Sequence, residues 1–213
     1  MKKAFTDHRF EYRLKKFDEA DADPDPLRQF QIWFAEASKN DPDYFNAMIL
    51  STCDKKGKPS SRVVFLKGIE NECLVFYTNY LSRKGKELAA NPFASLLFFW
   101  PEFERQIRIE GVAEKVSSSV SSEYFASRPR ESQISTWASS QSEIVSDRQT
   151  LEKKFENTSS QFEGKGIPRP DHWGGFRLKP EYFEFWQGRT IRLHDRIIYS
   201  RENNDWIIRR LFP

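Results

Sequence analysis

Long apolar runs are missing from this chain, and so is an excess of charge of either sign. No stretch approaches the roughly 18 apolar residues that a membrane span needs. The start, M-K-K-A-F-T-D-H-R-F-E-Y, lacks the apolar core of a secretion signal. A cytoplasmic protein with no membrane partner is expected. The 34 basic and 31 acidic residues leave a net charge of +3, and no basic stripe follows any one element. Nucleic acid is therefore not expected as a partner, while small anions held at local sites are. There are only two cysteines, Cys53 and Cys73, and three histidines, none at metal-ligand spacing. That argues against a disulfide framework and against a metal centre. Glycine-rich phosphate loops of the Rossmann or P-loop kind are absent too.

Aromatic residues are abundant: 15% of the chain, with 19 Phe and 6 Trp, enough for a sizeable core despite a charged fraction of 31%. Residues 1–24 read as a flexible arm or lid, and 25–213 as a single domain. Asp25-Pro26 predicts a helix start, followed by an apolar stripe of Leu27, Phe30, Trp33, Phe34 and Ala37. Strands are expected over 47–52, 60–67, 72–78, 94–100 and 105–116, with a short helix over 82–90. Helices are expected over 119–127, from Pro129, and over 143–162. The final strands are expected over 173–178, 182–187, 191–199 and 206–211. Strands at both ends with helices between them predict an α+β fold, an antiparallel barrel with helices packed on it, rather than a doubly wound sheet.

The densest pattern is Glu184 to Arg196, E-F-W-Q-G-R-T-I-R-L-H-D-R. Read as a strand after Gly188, it puts Arg192, His194 and Arg196 on one face and Ile191, Leu193 and Ile197 in a core. Such a cationic row suits an anion or an electron-rich ring, or else a solvated edge strand. Arg62 and Lys67, five apart, face opposite sides of a regular strand, so one of them approaches an interior or an interface. Arg83 and Lys84 start a helix, where cations oppose the macrodipole unless an anion joins them. Tyr124 and Arg128 share a helix face, with Ser132 just past Pro129, which makes a second phosphate cradle or plain surface decoration. Gln106, Gln141 and Ser142 suit a polar ring edge, and Trp186 suits stacking or core.

Together these residues resemble the pyridoxine (pyridoxamine) 5′-phosphate oxidase family. The most specific match is E-F-W-x5-R-L-H-D-R (184–196). Support comes from R-V-V-F-L-K (62–67), F-Y-T-N (76–79), S-R-K (82–84), E-R-Q (104–106), Y-F-x-S-R-P-R-x-S-Q-I (124–134), Q-S (141–142) and W-G-G-F-R (173–177). The resemblance implies an FMN-binding split β-barrel and a homodimer with FMN at the interface. The implied reaction oxidises pyridoxamine or pyridoxine 5′-phosphate to pyridoxal 5′-phosphate, with dioxygen becoming hydrogen peroxide. Its implied FMN residues are Arg62, Val63, Val64, Phe65, Leu66, Lys67, Tyr77, Thr78, Arg83, Lys84, Gln106, Gln141, Ser142, Trp186 and Arg196. Lys67, Tyr124, Arg128 and Ser132 would take the substrate phosphate, and Arg192 and His194 the pyridine ring at the point of catalysis. Arg9 and Tyr12 match a lid only through R-x-E-Y, and the family's glycine-containing basic stretch is replaced by R-L-K-K-F-D-E-A. The alternative reading is a carrier or sensor that binds flavin or pyridoxal phosphate without turnover.

Overall fold

Asp25 accepts a hydrogen bond from the Leu27 amide, Pro26 occupies the first helical position, and helix α1 runs Pro26–Asn40 as the sequence predicts. This computed structural model describes residues 11–203 and 205–213. Strands β1 (Ala47–Cys53), β2 (Pro59–Phe65), β3 (Gly68–Glu70) and β4 (Cys73–Asn79) follow. Helix α2 (Arg83–Ala90) then precedes β5 (Phe93–Trp100) and β6 (Arg105–Lys115). Helices α3 (Ser118–Ser127), α4 (Arg130–Ala138) and α5 (Arg148–Gln161) lead to β7 (Trp173–Gln187), β8 (Asp195–Glu202) and β9 (Asp205–Arg210). The strand order is β2-β1-β5-β6-β7-β4-β3, with β8 on β7 and β9 on β8. The β3–β4, β4–β7, β7–β8 and β8–β9 pairs are antiparallel.

The chain divides into two compact units. The first holds the described part of Met1–Leu50 with Ser95–Glu110 and Pro180–Pro213. Its core is aromatic. Phe30 and Phe98 meet edge to face at 5.1 Å, Trp33 meets Phe185 at 5.3 Å, and Phe185 meets Tyr199 at 5.5 Å. Residues 11–24, read from the sequence as an arm, make specific contacts in this unit. Phe17 is buried against Trp33 at 5.0 Å, and its amide donates to Asp195. Arg210 pairs with Asp18 and Glu19.

The second unit holds Ser51–Ala94 and Gly111–Lys179. Here Phe76 stacks on Phe176 at 5.8 Å, and Phe125 meets Trp173 at 5.3 Å. The register sets Tyr77 opposite Gly175 and Thr78 opposite Gly174. A Cβ on Gly175 would lie 2.9 Å from the Tyr77 ring and 2.6 Å from Val116, so only glycine lets that ring lie against β7.

Several sequence expectations are corrected. The two strands expected at 173–178 and 182–187 are one, β7; Pro180, which has no N–H to donate, is tolerated between the stretch paired with β4 and the stretch paired with β8. The helix expected from Glu143 starts at Arg148, where Asp147 caps the Thr150 amide; Ser142 before it has a positive φ of 75°. Ile144, ahead of the helix, lies fully exposed. The largest correction is at 191–194. Ile191 and Arg192 both take left-handed backbone conformations in a 3-10 turn, and β8 begins only at Asp195. Ile191 and Leu193, expected in a core, are exposed. Strand alternation cannot operate through two left-handed residues.

Phe98 is fully buried in the first unit's aromatic cluster. Phe98→Ala is expected to cost about 3–5 kcal/mol, read as a lower denaturant midpoint at constant slope.

Candidate active site

In the second unit a cavity of about 700 Å³ opens between β2, β4 and the α3–α4 pair. Lys67, Lys84 and Arg128 line it, together with the hydroxyls of Tyr77, Thr78, Tyr124, Ser132, Ser135, Thr136 and Ser139. Among the described residues, no carboxylate lines it. Three cations facing hydroxyls make a cavity for an anion, because a buried cation otherwise lacks compensation.

Each cation reaches the cavity for a local reason. Ser82 caps α2 by accepting the Gly85 amide, which fixes the first turn and sends Lys84 inward. The Lys84 ammonium is buried and donates to Thr78 Oγ1 and Gln141 Oε1, each at 3.3 Å. Both acceptors are neutral, and burial, helped by the charge of Arg62, lowers the Lys84 pKa from its usual value. Arg128, at the C-terminal end of α3, donates to Thr136 Oγ1 at 2.7 Å and lies 4.5 Å over the Trp173 ring. Burial lowers its pKa as well. Among the described residues neither side chain forms an ion pair with a carboxylate. Lys67 is exposed at the mouth, 5.3 Å from the Phe65 ring.

One wall is a stack of three nearly parallel rings. Tyr77 lies 3.8 Å from Tyr124 and 5.5 Å from Trp173, with interplanar angles of 16° and 14°. Burial pushes the Tyr77 phenol up to about 12, so it stays a neutral donor at physiological pH. The donor set, hydroxyl, ammonium and guanidinium beside flat aromatic faces, fits a ligand that combines phosphate with a planar ring.

Arg62 and Arg83 lie beside an anion that the chain itself supplies. Both guanidiniums pair with one buried carboxylate, Glu87, at 3.4 and 2.8 Å. Arg62 also donates to Thr52 Oγ1 at 2.6 Å and to Ser60. Burial alone would raise the Glu87 carboxyl. Hydrogen bonds from Ser60, Thr52 and Arg83 outweigh it and hold the group down, from an ordinary 4.5 to about 2. Arg83, Gln141 and Ser142 line an adjacent cavity of about 530 Å³. Leu66 is a buried core residue. Glu87 escaped the sequence reading, although its place four residues after Arg83 on a helix was a usable signal.

The remaining expected residues lie in the first unit. His194 packs on Trp186 at 4.7 Å, and Tyr12 meets both rings edge to face, at 5.2 and 5.3 Å. The Arg189 amide donates to His194 Nδ1 at 3.1 Å, which leaves the neutral ring's proton on Nε2. Burial, then the charge of Arg192, lowers the His194 pKa, so the ring is neutral near pH 7. Arg192 is exposed on its left-handed turn. Arg196 is committed to Glu184 at 2.7 Å and the Phe212 carbonyl at 2.8 Å, apart from the row imagined in the sequence. Gln106 is half-buried on β6. Arg9 lies outside the described residues.

Two family models match this chain: "Pyridoxamine 5′-phosphate oxidase" over residues 34–162, and "Pyridoxine 5′-phosphate oxidase C-terminal dimerisation region" over 173–213. The chain belongs to the pyridoxamine 5′-phosphate oxidase family. Among relatives of that family, the pyridoxine/pyridoxamine 5′-phosphate oxidase of Paraburkholderia phytofirmans is 52% identical, over 95% of both chains. The one from Trichormus variabilis is 47% identical over the full length of both. The crystal structure of PhzG from Burkholderia lata, in complex with tetrahydrophenazine-1-carboxylic acid, superposes with a TM-score of 0.87 at 31% identity. It covers 94% of this chain and 99% of its own. A pyridoxamine 5′-phosphate oxidase-related, FMN binding protein from Nostoc punctiforme gives 0.70 at 16% identity, covering 89% of this chain and 98% of its own, a likeness of fold. The fold class is thus α+β, the antiparallel split barrel of this family. Among the described residues, no helix is long and apolar enough to cross a membrane.

The low Glu87 pKa gives a signed acid dependence. Its ionised form stabilises the fold above about pH 4.5, and that contribution is lost as pH falls towards about 2. Glu87→Gln is expected to flatten the stability-versus-pH curve in that window, measured by urea unfolding at a series of pH values.

Proposed function

We propose that this chain is the FMN-dependent oxidase that converts pyridoxamine 5′-phosphate and pyridoxine 5′-phosphate to pyridoxal 5′-phosphate. With the amine, dioxygen and water are consumed, and ammonia and hydrogen peroxide are released; with the alcohol, dioxygen becomes hydrogen peroxide. The observation that carries this reading is the second unit's cavity, lined among the described residues by three cations and no carboxylate, beside a wall of parallel aromatic rings. Bound FMN would supply the two-electron redox chemistry, with dioxygen as the terminal oxidant.

The chain's own residues bind and orient. Lys84, Thr78 and Gln141, already joined by hydrogen bonds, would hold FMN with Arg62, Val63, Val64, Phe65, Leu66, Lys67, Tyr77, Arg83 and Ser142. Gln106, Trp186 and Arg196 would complete the cofactor site. Lys67, Tyr124, Arg128 and Ser132 would take the substrate's phosphate, converting binding energy into orientation of the reacting carbon. Arg192 and His194 would lie against the pyridine ring. His194 donates from Nε2 in its neutral form, which suits orienting a polar ring rather than removing a proton. Arg9 and Tyr12 would close over the substrate.

A homodimer with FMN at its interface is part of the same reading. It is supported by the match to a dimerisation region, and by Val63, Phe65 and Phe93, apolar side chains left exposed in the second unit. Two free thiols, Cys53 and Cys73, suit a cytoplasmic location.

The deciding experiment is aerobic incubation of the FMN-loaded protein with pyridoxamine 5′-phosphate, following aldehyde absorbance and peroxide together. Both products are expected; flavin bound with neither product formed would leave only a carrier. Arg128→Ala is expected to raise KM by about tenfold or more, the loss of a charge-assisted phosphate contact, while flavin fluorescence reports FMN still bound. Arg192→Ala should lower both substrate affinity and turnover with FMN retained.

A further inference from the structure

Glu104 belongs to the E-R-Q block but to none of the roles assigned above. It is 4% exposed and takes a left-handed conformation, with φ at 51°, between a 3-10 turn and β6. Its carboxylate Oε2 accepts two backbone amides, from Arg13 at 2.8 Å and Leu14 at 2.9 Å. Its own carbonyl accepts the Gly188 amide at 2.8 Å and Gln187 Nε2 at 3.3 Å. One residue therefore grips two segments of the first unit: the stretch that carries Tyr12, and the end of the strand that carries Trp186.

The grip has a steric counterpart. A Cβ on Gly188 would stand 2.5 Å from Tyr12 Cδ1, so the Tyr12 ring lies in space that only glycine leaves open. Residues 13 to 16 are exposed, and the next anchors, the Phe17 side chain and its amide on Asp195, come later in the chain. Two amides on a buried carboxylate are charge-assisted bonds, stronger than neutral ones. They fix the two residues that follow Tyr12.

We propose that Glu104 is a positioning residue that docks residues 13 and 14, holding Tyr12 against the Trp186–His194 pair, and that this docking sets affinity for the phosphorylated substrate more than the rate of its oxidation. The kinetic half rests on the oxidase reading; the docking half rests on geometry alone. A residue that only stabilised the fold would change unfolding without separating KM from kcat.

The test compares wild type with Glu104→Ala, Glu104→Gln and Leu14→Pro, all FMN-loaded. Trypsin cleavage after Arg13, Lys15 and Lys16 is timed by mass spectrometry, and kinetics are run with pyridoxamine 5′-phosphate. Glu104→Ala is expected to speed cleavage and raise KM, each about tenfold, with kcat within about twofold of wild type. Glu104→Gln should restore most of both, since its carbonyl oxygen still accepts. Leu14→Pro deletes one donor amide at an exposed residue; because trypsin does not cut an Arg–Pro bond, its cleavage is compared only after Lys15 and Lys16. Both readouts should move the same way, which carries the test if Glu104→Ala fails to fold. Cleavage as slow as wild type in Leu14→Pro and any folded Glu104→Ala would overturn the proposal. So would a released segment with KM unmoved. Absence of turnover in the wild type would instead count against the oxidase reading, and cleavage rates would still decide the docking.

Discussion

One buried carboxylate decides how positive charge is distributed in the second unit. Glu87 accepts hydrogen bonds from Thr52 and Ser60 and pairs with both Arg62 and Arg83. Its pairing capacity is used up there. Lys84, on the same helix, turns the other way and finds neutral oxygens. Positive charge thus stays unspent at the cavity wall while neighbouring guanidiniums are compensated. A carboxylate facing the cavity would neutralise it and compete with any phosphate; among the described residues none does.

The aromatic wall adds a second constraint of another kind. Stacked rings resist rotation and present flat faces, and their only dissociable groups near the working range are two phenols that burial keeps neutral. Flat recognition and charge recognition therefore come from separate side chains. Arg128 joins them, since it donates to Thr136 while lying over Trp173. A guanidinium clamped on both its edge and its face has little rotational freedom left to lose on binding.

Much of this was legible in the sequence. Helix α1, its cap and its stripe follow local rules, and so does the capped start of α2. The order of strands and helices was enough for the fold class. The misplaced element boundaries share one cause: periodicity reading assumes a regular backbone. It broke at Ile191 and Arg192, where two non-glycine residues take left-handed angles, and at Ser142 ahead of α5. Long-range polar hubs were invisible for another reason. Glu104 and Asp195 act by accepting amides from residues 91 and 178 positions away, and spacing along the chain carries no trace of such partners. Arg196 illustrates the same limit: its residue type was noticed, but its commitment to Glu184 and to the Phe212 carbonyl was not.

The closeness of β4 to β7 at Gly175 has a consequence for how this protein can change over generations. Tyr77 and Gly175 occupy what is sterically one volume divided between two strands. A larger residue at 175 is admissible only after the ring at 77 has shrunk or left, and losing that ring removes one plane of the stack. The two positions, with Val116 pressing on the same space, therefore form a single heritable unit. Single substitutions at 175 are barred while Tyr77 stays, and the order in which changes arrive decides which descendants of this sequence are reachable.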